Sequence, residues 1–350
     1  MHNTRKPKKS KYSRDNFKGY LRASLIDLYE FYTPAEKRKK SESYWPVFRF
    51  CYKCFWFLHG VSKTLRISRY RWILIIISVV LFLNQGNTDN NSIAYIILFF
   101  VLLLEIRDKL LAHDELKAGS AIQNALMPEQ QPRVPGWDVW LYSKPARLVG
   151  GDYIDVHSID ANCCGLAIGD VSGKGLAAAL LMAKLQASVE ALSSHSADIA
   201  EMTQKLNNLF CKPSLRSQFI SFLYVQLQKP GGEINFVNAG HLPPWIIRNS
   251  HISIMPKGEP ALGLLADQTY STHQEHLDSG DVFLAVTDGC TEVRRQDGTF
   301  LDENDFLRSA QRTADKSARD IGSALLTHLL EFSADAVQHD DMTIMVLKRK

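Results

Sequence analysis

Leu166-Ala-Ile-Gly-Asp170-Val-Ser-Gly-Lys174-Gly-Leu-Ala-Ala-Ala-Leu-Leu181 is the stretch on which the reading of this chain turns. An apolar run ends in Gly169 to Gly175, and an Ala/Leu-rich run suited to a helix follows, so Asp170 stands at a strand end before a glycine-loosened turn. A carboxylate there faces a cleft. The stretch is not a phosphate-cradling P-loop. That motif needs four residues between its first Gly and the Gly-Lys and then Ser or Thr, whereas three separate Gly169 from Gly173 and Gly175 follows Lys174. An aspartate inside the loop would repel a phosphate unless a cation stood between them, which makes Asp170 a candidate for metal. Taken alone, the stretch is equally a solvated aspartate in a glycine turn.

Other acidic sites share its context. Upstream lies Pro145-Ala-Arg147-Leu-Val-Gly150-Gly151-Asp152-Tyr-Ile-Asp155; downstream come Asn238-Ala-Gly-His241, Thr287-Asp288-Gly289 and His339-Asp340-Asp341-Met-Thr343. Each acidic site adjoins a β-like run or a glycine turn, so carboxylates sit where separate strands can converge. In these motifs and their order, residues 120–350 resemble the metal-dependent PPM-type Ser/Thr protein phosphatases, specifically the bacterial SpoIIE/RsbU-like branch. Ile122-Gln123-Asn-Ala-Leu126-Met-Pro128 is similar to the Ile-Gln-x-x-Leu-x-Pro signature that precedes that branch.

The resemblance implies an α/β fold, a PPM-phosphatase-like sandwich of two mainly antiparallel sheets flanked by helices. It implies that Asp152, Asp170, Asp288 and Asp340 are the catalytic aspartates around two Mn²⁺ or Mg²⁺ ions, with the Val171 carbonyl as a further metal ligand. Hard divalent cations prefer oxygen donors, and phosphoester hydrolysis needs an activated water and neutralised phosphoryl charge. Asp341 would orient the final turn, and Asp155 is either support or an ordinary strand carboxylate. Arg147, five residues before Asp152, matches the family's phosphate-binding arginine but also reads as a surface side chain. His241 is placed at the substrate or in a structural turn, and Lys174 at the rim where it could steer a phosphoprotein. Ser172 stands where eukaryote-type relatives carry a histidine, leaving the leaving-group acid unassigned. No Ser-His-Asp order or Cys-based phosphatase loop competes, and Gly150-Gly151-Asp152 continues Tyr-Ile rather than the Glu-Phe of a cyclic-dinucleotide cyclase.

The coarse pattern agrees. Strands are predicted at Trp137 to Tyr142, Tyr153 to Ser158, Cys163 to Ile168, Phe219 to Leu227, Ile234 to Asn238, Trp245 to Ile247, Tyr270 to His273, Val282 to Val286 and Met342 to Leu347. Helices are predicted at Leu176 to Leu192, Ile199 to Phe210 and Ala318 to Phe332. Such grouped strands suit a sandwich with substantial antiparallel sheet.

The 350 residues allow one large domain and an appendage, and the net charge of +4 hides an asymmetry. Residues 1–71 carry 18 Lys and Arg against 5 Asp and Glu, a net +13, while the remainder carries 23 against 32, a net −9. The basic end seeks an anionic surface. Residues 1–69 read as a basic juxtamembrane region: a basic arm, a helical face from Phe17 to Tyr32, the Lys37–Lys40 cluster and an aromatic stretch from Val47. Membrane is favoured over nucleic acid. Of the six cysteines, Cys51 and Cys54 have zinc-like spacing but no second ligand pair, and reduced thiols are expected throughout.

Trp72 to Leu83 and Ile93 to Leu104 are apolar runs of 12 residues each. That is about 18 Å of helix against a hydrocarbon core of about 30 Å, so extension at both ends is needed to span. Residues 70–106 are expected to form a two-helix transmembrane hairpin with both termini inside, since basic residues flank it and only Asp89 is charged in the loop. Residues 107–127 would be a helical signalling linker and 128–350 the phosphatase domain. Homodimerisation through the linker is a further expectation, although its heptad spacing is poor. The expectation is thus a phosphatase of the bacterial inner membrane with its catalytic domain in the cytoplasm, acting on a phosphorylated anti-sigma-factor antagonist of STAS type. The rival is a phosphatase-like membrane receptor that binds a phosphoprotein without hydrolysing it.

Overall fold

The computed structural model describes residues 52, 56, 69–83, 88–194, 198–212, 218–249, 251–334, 336 and 338–350. The expectations for the basic arm, the helical face from Phe17, the Lys37–Lys40 cluster and the Cys51/Cys54 pair lie outside the described residues. The chain divides between Ala112 and His113 into two compact units.

In the first unit, helix α1 (Arg69–Leu83) lies against the beginning of helix α2 (Thr88–Leu126). The Ser78 hydroxyl donates to the Ala94 carbonyl at 2.7 Å, and the Arg71 guanidinium binds Glu105 at 2.8 Å and also Asp108. Outward faces carry Ile76, Val80, Ile96 and Phe99, all more than half exposed. The second apolar run and the expected linker form one continuous 39-residue helix. Neither Gly nor Pro interrupts it before Gly119, and Pro128 follows its end. Among the described residues, one helix is long and apolar enough to cross a membrane, α3 (Leu176–Ser193) of the second unit, and that helix packs in a core.

The second unit is a four-layer sandwich. One sheet has the order β1 (Trp137–Lys144), β10 (Met342–Arg349), β9 (Val282–Val286), β6 (Trp245–Arg248), β7 (His251–Ile254); the other runs β2 (Asp152–Ser158), β3 (Cys163–Val171), β4 (Ile220–Gln228), β5 (Glu233–Ala239), β8 (His273–His276). All pairings between these strands are antiparallel. The inner faces meet through Val139, Leu141, Ile154, Leu166, Ile168, Phe236, Phe283 and Met345. Helices α3 (Leu176–Ser193) and α4 (Ile199–Phe210) cover the outer face of the second sheet over Tyr153, Ala167 and Tyr224. Helices α6 (Glu303–Arg312) and α7 (Ala318–Ser333) cover the first sheet over Trp140, Leu284 and Val346. Both faces of β3 are therefore buried, which accounts for its continuous apolar run and for Cys163 and Cys164 both being buried on opposite faces.

One expectation is corrected, and two further elements, β7 and α6, appear that the sequence pattern does not predict. The strand expected at Tyr270 to His273 begins at His273. Tyr270 instead packs against the helical side of the second sheet with its hydroxyl donating to the Pro260 carbonyl at 3.2 Å. Strand β7 was not expected, because as an edge strand it presents no buried face to pattern its sequence. Helix α6 was not expected because only Phe306, Leu307 and Ala310 are buried among its polar residues.

Candidate metal centre

The motif aspartates come together at one end of the sandwich because strand ends put them there. Asp152 opens β2 and Asp170 lies near the end of β3, and antiparallel register sets the two opposite each other. Asp288 begins the one-turn helix α5 (Asp288–Thr291) directly after β9, and Asp340 and Asp341 immediately precede β10. The Thr287 amide donates to the Thr343 carbonyl at 3.0 Å, and the Thr343 amide donates to the Thr287 hydroxyl at 3.0 Å. Both hydroxyls then reach across to the other sheet. Thr287 Oγ1 stands 2.8 Å and Thr343 Oγ1 2.5 Å from Asp152 Oδ2.

Glycines allow this approach. A Cβ on Gly289 would lie 1.8 Å from the Asp341 carbonyl oxygen, so only glycine lets the turn after Asp288 close on the Asp340-Asp341 backbone. A Cβ on Gly150 would lie 2.3 Å from Asp341 Oδ2. One on Gly151 would lie 2.8 Å from the Val171 carbonyl oxygen and 3.2 Å from Asp170 Oδ1, so these two oxygens converge on the bare face of Gly151. The Asp341 carboxylate accepts from the Ala146 amide at 2.7 Å, the Gly151 amide at 2.7 Å and the Asp152 amide at 3.4 Å. It is committed to holding the Gly150-Gly151 turn.

That turn is held from the other side by the linker helix. Gln123 is 5% exposed; its Nε2 donates to the Gly150 carbonyl at 2.9 Å and its Oε1 accepts from the Gly150 amide at 3.0 Å. A single side chain thus satisfies both main-chain polar groups of the buried Gly150. The sequence motif contained Gln123, but spacing gave no hint of its partner. Thr287 and Thr343 were likewise present in the motifs without a role; a threonine beside each of two acidic turns was the available signal.

Charge is unbalanced here. Burial pushes the Asp170 carboxyl up to about 7, helped by the charges of Asp288, Asp340 and Asp341 and only partly opposed by Lys174. Asp288 is raised by burial and then by Asp340 and Glu292. Burial, with Asp170 adding, drives Asp152 well above the carboxylate range despite its two threonine donors. The donors are all hard oxygens, the chemistry that Mg²⁺ and Mn²⁺ select, and the Val171 carbonyl meets Asp170 on a face that a Cβ would fill. In donor chemistry the residues fit such cations, while among the described residues no group of three or more His, Cys, Asp or Glu side chains is by itself gathered closely enough to hold a metal ion. Lys174 Nζ meanwhile pairs with Asp340 Oδ2 at 3.0 Å.

The remaining candidates separate. Arg147 is exposed and lines the same crevice as Asp170, Lys174 and Asp340, a position open to a phosphate. His241, expected either at the substrate or in a structural turn, lies in a turn closed by Asn238. It is buried, its amide donates to Asn238 Oδ1 at 2.8 Å, and its carbonyl accepts from Asn238 Nδ2 at 3.1 Å. Burial lowers its imidazole to about 4, so it is neutral. Its Nδ1 lies 3.3 Å from Ser221 Oγ, which in turn accepts from the Asp170 amide at 3.1 Å. His241 therefore supports the strand end behind Asp170. Ser172 is occupied with the backbone of Phe219, its Oγ accepting at 2.7 Å and its amide donating at 2.9 Å. Asp155 lies along β2, where it accepts from the Tyr153 hydroxyl at 3.0 Å.

Comparison with known proteins bears on the family and the fold. The family model described as Stage II sporulation protein E (SpoIIE) matches residues 160–350. The phosphoserine phosphatase RsbU of Bacillus subtilis (strain 168) is 28% identical over 240 residues, covering 67% of this chain and 70% of that protein. Protein IcfG of Synechocystis sp. is 24% identical over 304 residues, covering 76% of this chain and 48% of that protein. Among solved structures, the SiaA-PP2C domain of Pseudomonas aeruginosa aligns with a TM-score of 0.59 and 20% identity, covering 69% of this chain and 98% of that one. The RsbU and RsbW domains of Rv1364c from Mycobacterium tuberculosis align with a TM-score of 0.56 and 24% identity, covering 64% of each chain. These structures share the fold; this chain spans about half of IcfG and under two thirds of the mycobacterial chain.

Proposed function

The chain belongs to the SpoIIE family of PPM-type Ser/Thr protein phosphatases, and on that premise we propose that it removes phosphate from serine or threonine of a regulatory protein in a partner-switching circuit. The observation that carries the reading is the convergence of Asp170, Asp288 and Asp340 from separate segments into one mutually repelling group beside Asp152. Asp170, the Val171 carbonyl, Asp288, Asp340 and the remaining oxygen of Asp152 would hold divalent cations, Mn²⁺ or Mg²⁺. Bound there, the cations supply positive charge to the phosphoryl oxygens and make water a stronger nucleophile at neutral pH.

The chain's own residues do the rest. Thr287 and Thr343 fix the Asp152 carboxylate, and Asp341 and Gln123 fix the turn that presents it. Arg147 offers a planar pair of donors to phosphate oxygens at the mouth of the crevice. Lys174 offsets part of the carboxylate charge and sets the long-range attraction for an anionic substrate.

The proposed substrate is a phosphorylated antagonist of STAS type, by likeness to a phosphatase named RsbU. Residues 107–127 would act as the signalling linker, because Gln123 ties that helix to the turn beside Asp152. The apolar outward faces of α1 and the start of α2 support a membrane hairpin, which would place the enzyme at the bacterial inner membrane with the catalytic unit in the cytoplasm. The test is phosphate release from a phosphoserine protein by the full chain with Mn²⁺, with Mg²⁺ and with chelator. Release that requires the cation is expected. Tight phosphoprotein capture with no turnover under any of these conditions would replace the enzyme with a receptor.

A further inference from the structure

Beside the carboxylate centre lies a cleft of about 530 Å³ that the reaction as described does not use. It starts at Arg147, Lys174 and Asp340 and runs outward between α7 and the segment after α5. Its floor is apolar, formed by the buried Val293 and Met342, yet Phe300 and Leu330 on its walls are 57% and 45% exposed. Phe300 is not exposed because its segment is loose. Leu301 and Arg295 donate backbone hydrogen bonds to Val293 at 2.9 Å and Thr299 at 3.0 Å, making a small hairpin turned at Gly298, whose φ is 85°. The Arg295 guanidinium lies 4.4 Å from the centre of the Phe332 ring and pins that hairpin to α7. A large apolar side chain held rigidly in water beside a reaction centre marks a contact surface.

The rim gives the partner's chemistry. Lys144, Arg147 and Arg294 border the cleft, and among the described residues none of them pairs with a carboxylate. Among the described residues, Glu292 is the one acidic residue on the rim besides Asp340 of the centre itself. Residues 72–350 as a whole are acidic, at net −9, so this cationic border runs against the charge of its surroundings.

Resting on the phosphatase reading, we propose that this cleft docks the substrate segment that flanks the phosphorylated residue, selecting an apolar side chain at the floor with acidic neighbours at the rim. The occupant is the phosphoprotein itself, because the cleft shares Arg147, Lys174 and Asp340 with the crevice in which Arg147 would receive the phosphate. Apolar contact would hold the segment and the rim charges would set which segments are admitted.

The test uses the full chain with Mn²⁺ and three probes: a phosphoserine peptide with leucine and aspartates flanking the phosphoserine, one with serine and glycine there, and p-nitrophenyl phosphate. The variants are Phe300→Ala, Leu330→Ser and Arg294→Glu, each checked for unchanged thermal unfolding. The expected result is preference for the acidic-apolar peptide in the parent chain. That preference should fall about tenfold through KM in the variants, with p-nitrophenyl phosphate hydrolysis retained. Undiminished preference in all three variants would overturn the proposal, as would equal loss on every probe. Weakened self-association with peptide preference intact would assign the cleft to a second copy and also overturn it. If the parent hydrolyses none of the probes, the phosphatase reading fails. The docking proposal is then judged by fluorescence anisotropy of the labelled peptides: preferential binding lost in the variants supports it, and binding unaffected by them overturns it.

Discussion

The two halves of the carboxylate centre are built on opposite principles. Around Asp152 the hydrogen bonds are closed within the protein: two threonine hydroxyls reach its carboxylate, and Asp341 and Gln123 hold the Gly150-Gly151 turn from either side. Around Asp170, Asp288 and Asp340 the interactions are charged and mutually repulsive, with one lysine set against them. The first half is a scaffold whose geometry the protein supplies by itself. The second half is arranged to favour a cation, since the protein alone leaves its charges poorly compensated. Substitutions should therefore separate the halves, lowering stability in one and raising it in the other.

The largest expected effect is on turnover. Asp170→Asn should reduce metal-dependent phosphate release at least about 10²-fold. In chelator it should also raise the unfolding temperature by about 2–5 °C by relieving repulsion. A variant that is both inactive and less stable would place Asp170 with the scaffold. On the scaffold side, Thr343→Val leaves the buried Asp152 short of a donor and should cost about 1–3 kcal/mol in denaturant unfolding. A neutral result would show that Asp152 is not held in this way.

Gln123→Ala sharpens the comparison from the linker. With the Gly150 peptide unpartnered, the Mn²⁺ concentration for half-maximal thermal stabilisation should rise about tenfold, the size expected for a residue that orients ligands from behind. An unchanged midpoint would disconnect the linker from the centre. The smallest effect belongs to Lys174→Met. Removing the lone opposing charge should lower that midpoint about threefold while KM for a phosphoprotein rises, both measured at low salt.

The pH dependence has a definite sign. Asp170 is held at about 7, against about 3.9 for a free aspartate, so between these values the folded chain keeps a proton that the unfolded chain has released. The stability from this group is complete below about pH 4 and is lost as the pH rises through 7. Thermal unfolding in chelator should follow that trend, and saturating Mn²⁺ should oppose it at the upper end.

Much of this was legible in the sequence, for physical reasons that differ by element. Strand β9 and helix α4 were bounded correctly because each is bracketed by polar turns, β9 being an apolar run buried on both faces and α4 burying one clear face. The four aspartates stand out in the sequence because each adjoins a glycine or a strand end. What the sequence could not carry was distance across the fold. Gln123 meets Gly150 across 27 residues and Thr343 meets Asp152 across 191, and no local pattern encodes either. His241 shows the converse: its Asn-Ala-Gly-His setting left it between the substrate and a structural turn, and the motif closes on itself through Asn238 and supports Asp170 from behind through Ser221. The polar helix α6 was missed because its three buried side chains are too few to raise a pattern.

The most direct test of the central claim, that these aspartates hold divalent cations, is calorimetric titration of Mn²⁺ into the chelated full chain at pH 6 and pH 8, alongside Asp170→Asn. The account predicts saturable binding that is tighter at pH 8, with proton release at pH 6, and that is abolished or severely weakened in the variant. Equal affinity in parent and variant at both pH values would contradict it.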